Sequence, residues 1–473
     1  MKTCLTIVVL IALSSSAFFV RLKSFENSDK RSIDEFVYYN MAKQMVKDIA
    51  NYNTIPYGKE LTSRGRPLPQ YFFEPLFKHP PVFTLMAMLS MKAFGIKLVA
   101  AGYVSLLLGA LMIPMIYLLG SLVYDNRTGL LAAIFLWMDP VSIMTSQKVW
   151  MDTPIAFFTL LSALFFVLGL KKNDWFFILS AVASGLAANT KYTGLLITFT
   201  IFIFAITYRR DLFKNSKFNF SLALPFLLLI PWFYWNFAVY GVNSIVEHND
   251  FAGLLIKLSK AGRFLIPVLV IVVSGYFLYL KLKCDLRGNN EEKVCKKTEE
   301  IDGKNKLKVA SYFLTAGIFY ILLKKYVLNS IDFGYIPFTT WQGGILAHEP
   351  TIFYVGRLIE YFLIYIFAFA SLFIFQSEEK QNAAFIRITA TLILLFFIMW
   401  GNFQSRYVLS CVAFLLLLAA NLIFELFDNI FKIKYRFARN LLISMLVLFI
   451  TYAVLKVTYL NIELSFTNDM CYY

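Results

Sequence analysis

The sequence predicts an all-α polytopic membrane protein, a bundle of about thirteen transmembrane helices with amphipathic helices in its first outer loop. Three observations predict it. Hydrophobic residues make up 59% of the 473-residue chain and charged ones only 16%, so apolar runs recur from end to end. Many of these runs approach the ~20 residues that a helix needs to cross the hydrocarbon core. The formal net charge of +16 lies largely in short loops between the runs, where it orients spans and does not call for nucleic acid. The five cysteines are scattered, and Cys284 and Cys295 fit no zinc spacing, so neither a disulfide framework nor a cysteine metal site is indicated.

The opening MKTCLTIVVLIALSSSAFFV has the basic start and small residues of a signal peptide, but reads here as an uncleaved first span. It runs roughly from Cys4 to Val20, with Lys2 holding the N-terminus inside. A long polar segment follows and carries IDEFVYYNMAKQM, residues 33–45. Val37, Met41, Met45 and Ile49 recur every four residues with Tyr38, Ala42 and Val46 beside them, the stripe of an amphipathic helix too polar to span. Ser32 and Glu35 have capping-box spacing, and Asp34 and Glu35 sit where acids complement a helix dipole. The plain reading of both acids is therefore a capped surface helix. Next, YGKELTSRGRPLPQYFFEPLFKHPP is crowded with prolines and reads as an ordered loop without regular structure.

VFTLMAMLSMKAFG, at about 14 residues, is short for a crossing and is placed against the membrane. With that choice, spans fall near 98–122, 128–146, 153–170, 174–189, 193–207, 218–239, 263–281, 309–325, 353–375, 384–400, 407–427 and 440–458. Nearly all loop lysines and arginines after Lys97 then face the cytoplasm, including YRRDLFKNSK and the long lysine-rich loop 281–308. Letting 82–95 cross would put the most basic loops outside. The C-terminal tail NIELSFTNDMCYY is outside under this topology, and no soluble domain is expected after the last span.

The same topology gathers on one face the polar residues that charge balance leaves unexplained. Asp34, Glu35, Lys78 and His79 lie in the first outer loop, and Asp152 opens a span in QKVWMDTPIAFF, with Pro154 suited to a first helical turn. Lys191 sits in LAANTKYTGLL, His348 and Glu349 in the loop GYIPFTTWQGGILAHEP, and Arg406 in GNFQSRYVLS. Charges at membrane depth are costly and mark function more often than packing. Each has an ordinary alternative: Asp152 as a helix cap, Lys191 and Arg406 as snorkelling cations, His348 as a polar loop residue. Together they suit sugar transfer at a membrane surface. A carboxylate takes the proton of an acceptor hydroxyl while lysine and arginine receive a departing lipid phosphate. Alternatively, Asp34 and Asp152 hold a divalent cation on the phosphate. A lipid or solute transporter with an outward charged cavity is the rival reading.

The order of motifs resembles the polytopic glycosyltransferases of the GT-C fold. Within them it is most similar to the branch holding protein O-mannosyltransferases and the aminoarabinose transferase of lipid A. The carriers are DEFVYYNMA, KHPPVFTLMAMLSMKAFG, MDTPIAFF, AANTKYTGLL and RYVLS, dense from about residue 30 to 240. The resemblance implies Asp34 as the catalytic carboxylate, with Asp152 and the neighbouring Glu35 as further acids of the site. It implies Lys191, Arg406 and Lys78 near the donor phosphate. Tyr38, His79, His348 and Glu349 are the accompanying candidates for acceptor or loop contacts. It also implies one integral-membrane domain over 1–473. Within it, 4–240 is the catalytic module with the outer loop 21–97, and 241–473 completes a cavity for the donor lipid. The expected donor is a polyprenyl- or dolichyl-phosphate sugar and the expected acceptor a lipid, glycan or protein. The expected membrane is the plasma membrane of a prokaryote or the endoplasmic reticulum of a eukaryote. The chain departs from the family where Ser410 follows RYVL in place of a proline. Neither the large soluble C-terminal domain of the lipid A modifiers nor an inserted domain like that of the eukaryotic protein mannosyltransferases is seen, and these two departures leave the acceptor open.

Overall fold

The computed structural model describes residues 2–28, 31–65, 68–241, 353–373, 381–400, 404–433 and 435–467. Expectations that fall elsewhere, including the spans 263–281 and 309–325 and the residues His348 and Glu349, lie outside the described residues. Every described element is a helix. α1 (Lys2–Glu26) is followed by α2 (Ile33–Lys47), α3 (Ile55–Ser63) and α4 (Val82–Phe94). Then come α5 (Leu98–Val123), α6 (Asn126–Met138), α7 (Pro140–Ser146), α8 (Asp152–Lys171), α9 (Trp175–Ala188) and α10 (Leu196–Tyr208). α11 (Ser216–Leu227) and α12 (Ile230–Tyr240) complete the first part. The second part contributes α13 (Phe353–Tyr361), α14 (Tyr365–Phe373), α15 (Gln381–Trp400), α16 (Leu409–Phe431) and α17 (Arg436–Thr467).

Six of these helices or helix pairs are long and apolar enough to cross a bilayer, and a seventh crossing results if the bent pair α6–α7 is one span. The chain is an integral membrane protein; the expected count of about thirteen is not reached among the described residues. α4 has 13 residues, about 20 Å at 1.5 Å per residue, too short for a hydrocarbon core near 30 Å.

Three local expectations need correction. The single span expected over 128–146 is broken by 56° between α6 and α7. Pro140 disfavours helical geometry at the residue before it, and Asp139 ends α6 and caps α7 by accepting from the Ser142 amide at 2.7 Å. Ile49 is exposed and leaves the stripe of α2, because the helix stops at Lys47 and Asp48 is extended. The proline-crowded loop holds a helix after all: α3 starts with Pro56 in its first turn, where a missing amide costs nothing.

The apolar core divides into two. One cluster joins α5, α6, α8, α10, α14, α15 and α16, with α16 buried from Leu409 to Ala420. Glycines allow the closest approach: a Cβ on Gly120 of α5 would lie 2.6 Å from the Cα of Gly129 in α6. The second cluster packs Val37, Tyr38, Met41 and Met45 of α2 onto Phe83, Ala87 and Met91 of α4. It extends to Tyr52, Phe77 and Trp232. This second cluster seats α2 against the bundle and so positions its first turn.

Candidate functional site

The first turn of α2 separates two adjacent acids. Ser32 Oγ accepts from the Glu35 amide at 3.3 Å, and Glu35 Oε1 accepts from the Ser32 amide at 3.0 Å, closing the capping box. That reciprocal pair turns Glu35 inward, where its side chain is 0% exposed. Asp34, about 100° round the helix, points away from it, and its side chain is 49% exposed.

Asp34 meets a residue 372 positions later. Arg406 Nη2 donates to Asp34 Oδ2 at 2.7 Å, and Arg406 Nε lies 3.8 Å from Oδ2 of Asp152, whose side chain is 7% exposed. Each partner is held by a structured turn. Arg406 lies in the short 3-10 segment Ser405–Val408 that opens α16, and Asp152 is the first residue of α8. The Arg406 guanidinium also rests over the Trp150 ring, 4.2 Å from its centroid. One cation thus lies between two carboxylates and on an indole face.

Lys191 enters from the turn between α9 and α10. Its ammonium is 4.4 Å from the centroid of Tyr407, the residue after Arg406. The turn is tight: a Cβ on Gly194 would lie 2.2 Å from the Ala187 carbonyl carbon, so only glycine fits there. The Lys78–His79 segment is pinned beside the same turn. Tyr52 Oη donates to the His79 carbonyl at 2.9 Å, and the Val82 amide donates to the Asn189 carbonyl at 3.0 Å. Tyr38 is buried edge-on against Phe77 and Phe83. Burial first, then the Asp34 carboxylate, the neighbouring Tyr52 hydroxyl and the Asp152 carboxylate, push its phenol well above the ordinary value, so it stays protonated.

The structure therefore brings Asp34, Asp152, Arg406 and Lys191 to one place, with Tyr38 beside them and Lys78 and His79 anchored near the Lys191 turn. Glu35 occupies the layer behind Asp34. His348 and Glu349 lie outside the described residues. Among the described residues no three His, Cys, Asp or Glu side chains form a metal cluster. For the divalent cation that the sequence left open, the described acids are Asp34 and Asp152, with Arg406 now between them.

Sequence reasoning missed Lys148, Trp150 and Arg31. Lys148 Nζ is 3.7 Å from Glu35 Oε1, Arg31 Nη1 donates to Glu35 Oε2 at 3.1 Å, and Trp150 Nε1 donates to Ser32 Oγ at 2.9 Å. Arg31 is steadied in turn by the Phe25 carbonyl, which accepts from Nη2, and by the Phe25 ring 3.8 Å away. A lysine inside QKVWM, four residues before Asp152 and followed by three apolar side chains, was the available signal.

The arrangement can do two things chemically. A half-exposed carboxylate is available to accept a proton, and a guanidinium and an ammonium on aromatic faces are available to meet an anion. A family model described as dolichyl-phosphate-mannose-protein mannosyltransferase matches residues 78–235. No curated protein matches the sequence. The structure of ArnT from Cupriavidus metallidurans in the apo state is similar, with TM-score 0.54, 13% identity and coverage of 99% of this chain and 77% of that one. The same protein bound to undecaprenyl phosphate gives TM-score 0.55 at 13% identity, over 98% and 76% of the two chains. The apo oligosaccharyltransferase of Archaeoglobus fulgidus gives TM-score 0.59 at 15% identity. There the match covers 97% of this chain but 56% of the other, so this chain spans little more than half of that enzyme's length. The chain has the GT-C fold of polytopic glycosyltransferases, and it resembles the O-mannosyltransferase and ArnT branch.

Proposed function

We propose that the chain is a membrane glycosyltransferase that moves a sugar from a polyprenyl- or dolichyl-phosphate carrier to an acceptor hydroxyl on the extracytoplasmic face. The observation that carries this reading is the convergence of Asp34, Asp152, Arg406 and Lys191 from four distant parts of the chain. The carrier class is supported by two GT-C-fold structures, ArnT bound to undecaprenyl phosphate and the archaeal AglB in complex with an inhibitory peptide and a dolichol-phosphate.

In this reading Asp34 is the general base. Its half-exposed carboxylate takes the proton as the acceptor oxygen forms a bond to the anomeric carbon. The bond from that carbon to the phosphate oxygen breaks, and its electron pair leaves with the lipid phosphate. Direct attack from the opposite face inverts the anomeric centre. Arg406 and Lys191 meet the developing phosphate charge, in low-dielectric surroundings where such contacts count most. Arg406 also couples the two halves of the reaction. Its Nη2 rests on Asp34, so a phosphate that draws the guanidinium toward itself frees the Asp34 carboxylate oxygen to accept the acceptor's proton. Asp152, nearly buried beside Arg406, keeps the guanidinium within the site as it turns from Asp34 to the phosphate.

The donor class is the test. Purified protein in liposomes, offered radiolabelled sugar on a polyprenyl phosphate or on a nucleotide, transfers it from the lipid carrier alone. Incorporation from the nucleotide sugar with no lipid carrier present would overturn the reading.

A further inference from the structure

We infer that Lys148 is a positioning residue that sets the separation of Asp34 and Asp152 through the buried carboxylate of Glu35. The inference rests on the function proposed above, but its geometry does not. Lys148 and Glu35 are 2% and 0% exposed. An ammonium and a carboxylate so far from water persist only when paired and hydrogen-bonded.

Glu35 is filled from both sides. Oε1 receives the Ser32 amide and faces Lys148, while Oε2 receives Arg31 Nη1 and, at 3.3 Å, the Val149 amide. Two of these four partners belong to α2 and its approach, and two belong to the linker 147–151. That linker has no regular structure and no ladder of its own, yet it delivers Asp152 to the head of α8 and Trp150 to the underside of Arg406. Its neighbours Val149, Trp150 and Met151 are buried apolar side chains, which hold depth but not register. Register comes from the hydrogen bonds of the Val149 amide to Glu35 and of Trp150 to Ser32, with the Lys148 ion pair drawn against the same carboxylate beside them. Asp34 is the residue before Glu35, and Asp152 lies four residues after Lys148. A shift at this buckle therefore moves Asp152, Trp150 and the guanidinium above it together, relative to Asp34.

Lys148 is shut off behind Glu35, so it steadies the reacting groups without touching the donor. Its loss lowers turnover and spares donor affinity, a pattern that a phosphate contact would not give. Lys148→Met keeps length and apolar volume while removing the charge, and leaves Arg31 on Glu35; Lys148→Arg keeps a cation.

The experiment uses the full-length protein in lipid nanodiscs, with transfer kinetics and hydrogen–deuterium exchange measured on one preparation. Lys148→Met is expected to lower kcat by about ten- to a hundredfold, the scale of an ångström-size misplacement, with donor KM little changed. Lys148→Arg restores most of kcat. In Glu35→Gln/Lys148→Met the combined loss is smaller than the product of the two single losses, because each variant removes the same tie. Amides of 33–36 and 148–152 exchange faster in Lys148→Met, while those of α16 do not. Wild-type kcat with unchanged exchange at both stretches overturns the inference, as does a raised donor KM with unchanged kcat. If the wild-type protein transfers no sugar from a lipid phosphate, the function proposed above falls. The exchange measurement then decides on the buckle by itself.

Discussion

Asp34 and Glu35 are neighbours, yet one is half exposed and the other sealed, and the same contrast separates the layer around them from the bundle beneath. In the bundle, α16 runs from Leu409 to Ala420 with every side chain buried, almost all of them apolar. Packing there is non-directional and tolerates exchange among side chains of similar volume. Around α2 the groups are few, charged and directional: a capping box, a buried carboxylate with two cations, and a guanidinium between two acids. The bundle supplies rigidity that many sequences would supply. The layer supplies a geometry that one missing atom disturbs, and that is why the candidate chemistry is found there.

The sharpest way to break this comparison is to open the buried carboxylate. Glu35→Ala leaves Lys148 and Arg31 facing an apolar gap, and breaking a buried pair in this way costs about 3–5 kcal/mol. The measurement is thermal unfolding in detergent, read with a probe on α2; an unchanged midpoint would mean that water reaches Glu35. In the bundle, Leu416→Ala costs a comparable ~2–5 kcal/mol through the cavity it leaves. There, however, transfer per folded molecule stays at the wild-type level, which an activity assay normalised to folded protein checks. If Leu416→Ala lowers turnover per folded molecule, the two regions are not separable as described. The smallest of the three concerns the phosphate side. Arg406→Ala and Lys191→Ala each remove a charged hydrogen-bonding group worth about 1.5–3 kcal/mol, roughly ten- to a hundredfold in donor KM. Titration of donor against initial rate measures it, and a KM unchanged in both variants would move the phosphate elsewhere.

How much of this was legible in the sequence differs between the two regions for a physical reason. Periodicity and hydropathy report on single elements, so the stripe of α2, its capping box and the six long apolar spans could be read directly. The four site residues could be singled out because charge in an apolar chain is conspicuous. Pairing is another matter. Nothing in the spacing of residues says that Lys148 lies against Glu35, since the contact joins segments 113 residues apart and no periodic pattern encodes it. The break at Asp139–Pro140 was in view but had been absorbed into one hydropathic run. The end of α2 before Ile49 depended on an extended Asp48, which an apolar stripe does not reveal. α3 was hidden by proline content, although a proline in a first helical turn is compatible with the helix it opens.

The account's central claim is that Asp34 does chemistry while Arg406 and Lys191 hold the donor. Turnover at saturating polyprenyl-phosphate sugar, compared between wild type and Asp34→Asn with carrier binding measured on the same preparation, tests it most directly. The account predicts that turnover falls at least about a hundredfold while carrier binding persists. Near wild-type turnover in Asp34→Asn, or turnover lost only in step with carrier binding, would contradict it.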